Sequence, residues 1–253
     1  MAQYAERFTG RVTEYERYRL RYPQAMMTLL HERCGLTPSD RIADVGAGTG
    51  MLSESFLENG NAVIAIEPNE EMRAVCEELR AQYPQLTVVD ASAETTGLAD
   101  ASVEFVTAGR AFHWFDAPRA LAEFKRILKP QGWVVLAANG RSKGAAPHEL
   151  EYEQIMAEHG VDYPGVKSRY EAHEAAIAAF VPETVVRERL QGEQELTLEE
   201  FIGQVQSYSW APLPGHPKHE GMQQALREYF AKWQKEGVVR LGTTCYVNCG
   251  QLA

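Results

Sequence analysis

The 253-residue chain has few cysteines and no long apolar runs, and basic residues are outnumbered by acidic ones. The four cysteines, Cys34, Cys76, Cys245 and Cys249, contain no CxxC pair. Cys245 and Cys249 fall within an expected strand, where a four-residue offset spans ~13 Å, whereas a disulfide needs Cα atoms within about 7 Å. Reduced, partly buried thiols are therefore expected. The longest apolar stretches, such as 133–138, are far shorter than a bilayer span requires. No apolar run of signal-peptide type follows Met1, and the expectation is a cytoplasmic protein with no membrane partner. With 25 basic and 35 acidic side chains the net charge is -10. Such a charge repels phosphate backbones, so no nucleic-acid partner is expected. Repeats and low-complexity segments are also lacking. His216 and His219 form an HxxH pair in a proline-rich loop, but no HExxH pattern or acid cluster accompanies them, so no metal site is expected.

What is present is an alternation of strand and helix signals. Residues 4–21 are polar and aromatic and read as partly helical. Pro23 opens a helix that Gly35 stops. Residues 41–45 form a short strand running into Gly46-Ala47-Gly48-Thr49-Gly50, and a helix carries Leu52, Phe56 and Leu57 to Gly60. Residues 62–67 are almost continuously apolar, as in a strand buried on both faces of a parallel sheet. Asn69 caps a helix whose first turn holds Glu70 and Glu71. Strands follow at 86–89 and 104–108. Asp116 caps a helix with Leu121, Phe124, Ile127 and Leu128. Residues 129–132 form a turn into a fifth strand, 133–138. That rhythm predicts a doubly wound, mostly parallel sheet with right-handed crossovers and helices on both faces. After Gly140 the rhythm breaks. Helices are expected at 147–159, 168–180, 198–208 and 221–235, a strand at 184–190, a loop at 211–217 and a closing strand at 238–247. The last strands complete a seven-stranded sheet, and the helices between them form a lid over its ligand edge. One domain is expected, with 1–22 as an N-terminal lid segment, 23–140 as core, 141–237 as lid helices and sixth strand, and 238–253 as closing strand.

Open α/β sheets bind ligands at the carboxyl ends of their strands, near the switch in strand order. Glycines in the loop after the first strand let a ligand approach the backbone. A pyrophosphate fingerprint reads GxGxxG. Here the spacing is Gly46-x-Gly48-x-Gly50, and Met51 stands where the third glycine would fall. Asp44, two residues before the first glycine, is a poor neighbour for pyrophosphate and suits an ammonium or sulfonium. Both features favour S-adenosylmethionine over a dinucleotide. Glu67, ending the second strand, is placed to accept from ribose hydroxyls, as acids do in either ligand class.

Five segments taken together resemble class I methyltransferases, a Rossmann-like family, and more narrowly the small-molecule type 11 group, similar to the ubiquinone-biosynthesis and trans-aconitate methyltransferases. They are 44–50, Ala65-Ile66-Glu67-Pro68-Asn69-Glu70-Glu71-Met72, Ala93-Glu94, Ala111-Phe112-His113-Trp114-Phe115-Asp116 and Leu128-Lys129-Pro130-Gln131-Gly132. Order and spacing match across roughly residues 10 to 140. Ser207-Tyr208-Ser209 and the closing strand match more loosely. The resemblance implies S-adenosyl-L-methionine as cofactor, with S-adenosyl-L-homocysteine as product. Asp44, Gly46, Ala47 and Gly48 hold the methionine part, Glu67 the ribose, and Pro68 and Met72 lie against adenine. Relatives carry an acid where this chain has Ser92, so that contact passes to a hydroxyl, and the Ala93 amide serves a ring nitrogen. Tyr15, Arg19 and Tyr22-Pro23 match a Tyr, Arg-Pro, Tyr-Pro pattern, with Leu20 in place of the first proline. Tyr15 and Arg19 would close over the cofactor carboxylate. Arg110, at the ligand edge after the fourth strand, joins the cofactor contacts. His113 and Trp114 face the methyl group, His113 as candidate catalytic base and Trp114 as an aromatic wall suited to a sulfonium.

The implied activity is methyl transfer to a small-molecule acceptor by a monomer or homodimer. Proximity and orientation supply most of the rate, since the leaving group is good and neutral. Two rivals stand beside it: a non-catalytic S-adenosylmethionine sensor or scaffold, and a nicotinamide-dependent oxidoreductase, against which the glycine spacing and Asp44 argue.

Overall fold

The computed structural model describes residues 17–142, 144–165 and 185–252. Seven strands form one sheet: β1 (Arg41–Val45), β2 (Ala62–Ile66), β3 (Leu86–Val89), β4 (Val103–Gly109), β5 (Leu128–Arg141), β6 (Val185–Leu196) and β7 (Val239–Gln251). Their spatial order is β3-β2-β1-β4-β5-β7-β6. Pairing is parallel from β3 through β5, and β7 runs antiparallel to both β5 and β6. The strand order reverses between β1 and β4, which opens a crevice at their carboxyl ends.

Side chains alternate between the two faces, as the period of two demands. Ile42, Val63, Ala65, Phe105, Val135 and Ala137 pack with α1 (Gln24–Cys34), α2 (Met51–Glu58) and α3 (Glu70–Glu78). Ala43, Val45, Ile64, Ile66, Val106 and Val134 pack with α4 (Ala117–Ile127) on the other face. Local chemistry fixes the ends of these helices. Gly35 closes α1 in the left-handed region at φ 70°. The Asn69 side chain accepts from the Met72 amide, and Asp116 accepts from Arg119. The four cysteines are free and buried.

The expected fifth strand is longer than its apolar run. The 129–132 turn lies inside β5 as an irregularity: the register passes from Val103↔Leu128 to Phe105↔Trp133. Gln131 takes a positive φ of 65° there. The sixth and seventh strands also overrun their expected limits, because polar residues such as Gln191, Glu193, Gln194 and Asn248 pair within the ladder. The helix expected at 168–180 lies outside the described residues.

A third apolar cluster forms the lid. It joins α5 (Pro147–His159), α6 (Leu198–Gln206) and α7 (His219–Trp233) through Tyr152, Met156, Phe201, Leu226 and Tyr229. Its foundation is the β6–β7 ribbon. The β5–β7 pairing stops at Arg141↔Thr243, whereas β6–β7 continues to Leu196↔Val239. The ribbon thus projects beyond the carboxyl end of β5, and Leu196, Val239 and Leu241 carry the lid there.

Candidate active site

The crevice holds a cleft. Its floor is the glycine loop at the ends of β1 and β4, and Arg19, Leu20, Tyr22 and Tyr208 of the lid side border it. Arg19, Asp44, Gly46, Ala47, Gly48 and Arg110 all line it. So do Leu20, Tyr22, Met51, Leu52, Gly109, Asn139 and Tyr208, to which the sequence reading assigned no role. Tyr22 and Tyr208 stood within motifs already noted. Asn139 carried no sequence signal, because a polar residue at a strand end is common.

Gly46 and Gly48 adopt φ values of 69° and 60°, which side-chain-bearing residues rarely take. A Cβ on Gly46 would meet the Ala111 Cβ at 2.6 Å, so the loop and the 110–115 segment are in direct contact. A Cβ on Gly48 would find only the Met72 sulfur, at 3.6 Å. That face of the loop is open to a ligand, with the apolar Met72 beside it. The amides of Gly46 and Ala47 donate to the Ile66 carbonyl (2.8 and 3.1 Å), which ties the loop to the end of β2.

Two carboxylates frame the loop. Asp44 is fully buried and accepts from Ser53 Oγ (2.7 Å) and Thr107 Oγ1 (2.9 Å). Burial pushes its pKa up to about 6, against the lowering effect of those hydroxyls. Glu67 follows β2 directly. One of its oxygens accepts from the Gly48 amide (2.9 Å) and the other from the Asn69 amide (2.8 Å). Burial raises its pKa, the two amides oppose this, and Asp44 adds to the rise. Each Glu67 oxygen retains a second lone pair.

The remaining expected residues are more dispersed. Pro68 is exposed and its carbonyl accepts from Arg73 (3.1 Å). The Ser92 carbonyl accepts from Thr95, and Ala93 is buried. His113 and Trp114 occupy a single 3-10 turn, Phe112–Trp114, with ring centroids 4.4 Å apart. These five residues, like Glu67 and Met72, are not among those lining the cleft. Tyr15 lies outside the described residues.

Residues 43–136 match the family described as a methyltransferase domain, Methyltransf_11. These residues form a class I methyltransferase domain of the type 11 group. An uncharacterized methyltransferase of Mycobacterium tuberculosis is 38% identical over 136 residues, 54% of this chain and 53% of that protein. A demethylmenaquinone methyltransferase of Renibacterium salmoninarum is 33% identical over 110 residues, 43% of this chain and 45% of that protein. The chain thus spans about half the length of the curated relatives it matches. A solved structure described as a type II methyltransferase of Anaeromyxobacter dehalogenans has the same fold, with a TM-score of 0.70 at 24% identity. That match covers 92% of this chain and 98% of that one. The class implies S-adenosylmethionine as methyl donor, and the open face of Gly48, bordered by Glu67 and Met72, is of the kind that this ligand needs. Among the described residues no helix is long and apolar enough to cross a membrane.

Proposed function

We propose that this protein transfers the methyl group of S-adenosylmethionine to a small-molecule acceptor. The observation that carries this reading is the cleft at the switch in strand order. It brings the glycine loop of a methyltransferase domain together with Arg19, Leu20, Tyr22 and Tyr208. A concave cleft of this kind suits a small ligand rather than a macromolecular surface, and the net charge of -10 disfavours nucleic acid. The chain acts as one domain, in which residues 17–22 and the described part of 141–237 cover the core, 23–140, and 238–252 closes the sheet.

When bound, S-adenosylmethionine supplies an electrophilic methyl group on a sulfonium. The chain's residues bind and orient. Asp44, Gly46, Ala47 and Gly48 take the methionine end. With a pKa of about 6, Asp44 is mostly ionised at neutral pH and sets a negative potential under the cationic groups. Arg19, with Tyr15, takes the carboxylate, and Arg110 borders the same end. Glu67 accepts from the ribose through its remaining lone pairs. Pro68 and Met72 flank adenine, with Ser92 and Ala93 at its polar edge. Trp114 and His113, in the turn after β4, would face the acceptor. Alignment for in-line displacement supplies most of the rate. A base is needed only for an acceptor that arrives protonated, and His113 is the candidate for that task.

Calorimetric titration with S-adenosylmethionine and with NAD(H) tests the ligand. Binding of the former alone is expected, and binding of the nicotinamide alone would refute the reading. A broad acceptor screen following S-adenosylhomocysteine release tests the reaction. Silence across the screen in a protein that binds the cofactor would point instead to a sensor or scaffold.

A further inference from the structure

We propose that Asn139 is a positioning residue that latches residues 17–22 over the cleft; its catalytic consequence rests on the methyltransferase reading above. Asn139 lies near the carboxyl end of β5 and is only 5% exposed. Its carboxamide donates to two successive carbonyls of the N-terminal strap, Leu20 (3.1 Å) and Arg21 (2.5 Å). Its own backbone carbonyl accepts from the Arg110 guanidinium. One residue therefore joins the strap, the end of β5 and the residue after β4. Leu20, Arg110 and Asn139 all line the cleft.

The strap's other contacts are of a different kind. Arg21 pairs with Glu54 at 2.9 Å, with side chains 47% and 25% exposed. Solvent and salt weaken such a pair. Arg17 and the Tyr18 hydroxyl reach Glu199 of α6, and Gln204 donates to the Tyr18 carbonyl at 3.4 Å. Arg19 donates to Ser207 at 3.3 Å and stacks on Tyr208 at 4.3 Å. The first runs to the partly exposed surface of α2 and the others to the lid, while Tyr22 packs against the core. The bonds to Asn139 are shielded and run to the sheet, so they set the strap's height above the glycine loop. The sheet also leaves room for the strap: a Cβ on Gly109 would lie 2.7 Å from the Tyr22 hydroxyl.

The amide is specific to this task. Both of its hydrogens are used, and an ionised carboxylate of the same shape has none to donate. Release of the latch would lift Arg19 and Tyr22 from the cofactor's end of the cleft.

The test compares the full-length wild type with Asn139→Asp and Asn139→Ala, and with Val134→Ala as a control for general loosening of β5. Each variant is checked for folding by circular dichroism and thermal melting. Limited trypsin digestion, read by mass spectrometry, scores cleavage after Arg17, Arg19 and Arg21. Stopped-flow scores the dissociation rate of S-adenosylhomocysteine. Both Asn139 variants should be cut in the strap about tenfold faster than wild type, as expected when the open population rises. Ligand release should quicken by a similar factor, while Val134→Ala changes neither. Wild-type cleavage and release rates in either folded Asn139 variant would overturn the latch. So would equal acceleration in Val134→Ala. If the wild type binds no S-adenosylhomocysteine, the methyltransferase reading fails, and the strap cleavage rates still decide the latch.

Discussion

At the scale of single residues, two carboxylates repay the closest attention, because burial acts on both and their partners differ. The raised pKa of Asp44 has a consequence for stability. Between its ordinary value of 3.8 and its folded value of about 6, the folded state binds more protons than the unfolded chain. Stability from this group is therefore present at low pH and falls as pH rises through that window. A shift of that size corresponds to about 3 kcal/mol. Asp44→Asn removes the titration. Relative to wild type it should gain stability as pH rises from 4 to about 7, while binding S-adenosylmethionine less well. Urea unfolding across that range checks the first, and an unchanged pH slope would contradict it. Glu67→Ala should weaken S-adenosylmethionine binding by roughly 1.5–3 kcal/mol, as for hydrogen bonds to a charged group. The acid also holds the Gly48 and Asn69 amides, so its loss disturbs the loop as well as the proposed ribose contact. An unchanged dissociation constant would rule out both effects. The glycine spacing and these acids were legible in the sequence because loop geometry depends on local residue types. Asn139 was not, because its partners, Leu20 and Arg21, lie more than a hundred residues away.

At the scale of elements, the first four strands and their helices followed local patterns closely. The expected strand at 62–67 is β2 at Ala62–Ile66, and the Asn69 and Asp116 caps are made as expected. The later elements departed from their patterns. β5, β6 and β7 are longer than their apolar runs, since pairing with a neighbouring strand stabilises polar positions that periodicity alone leaves out. The junction between sheet and lid centres on Arg141, at the end of β5. Its guanidinium pairs with Glu153 of α5 and lies 4.3 Å from the Tyr152 ring. Glu153 also accepts from the Tyr163 hydroxyl at 2.8 Å. The arginine side chain is 9% exposed and the glutamate 31%, so the pair is only partly screened. Arg141→Met should cost about 1–3 kcal/mol, less than a fully buried pair because of that exposure. A double-mutant cycle with Glu153→Gln measures the coupling, and additive effects would show that the two residues act independently.

At the scale of the whole molecule, ligand binding and stability are linked. If the cleft takes S-adenosylhomocysteine, a concentration about a hundred times the dissociation constant should add about 2.7 kcal/mol. For a chain of this size that raises the melting temperature by roughly 5–10 °C. NAD(H) should produce no such rise, and a thermal scan with each ligand distinguishes them. The alternating strand and helix signals, the glycine loop with its flanking acids, and hence the family, were determined by the sequence alone. They rest on short-range periodicity, capping and backbone conformation, which neighbouring residues dictate. Tertiary structure decided the rest. The projection of the β6–β7 ribbon past β5 carries the lid to the ligand edge, and the buried carboxamide of Asn139 holds the strap. Both depend on contacts between distant segments, whose register only the packed sheet sets. The glycine loop thus forms one side of the cleft, while Arg19, Leu20 and Tyr22 of the strap and Tyr208 of the lid side border it.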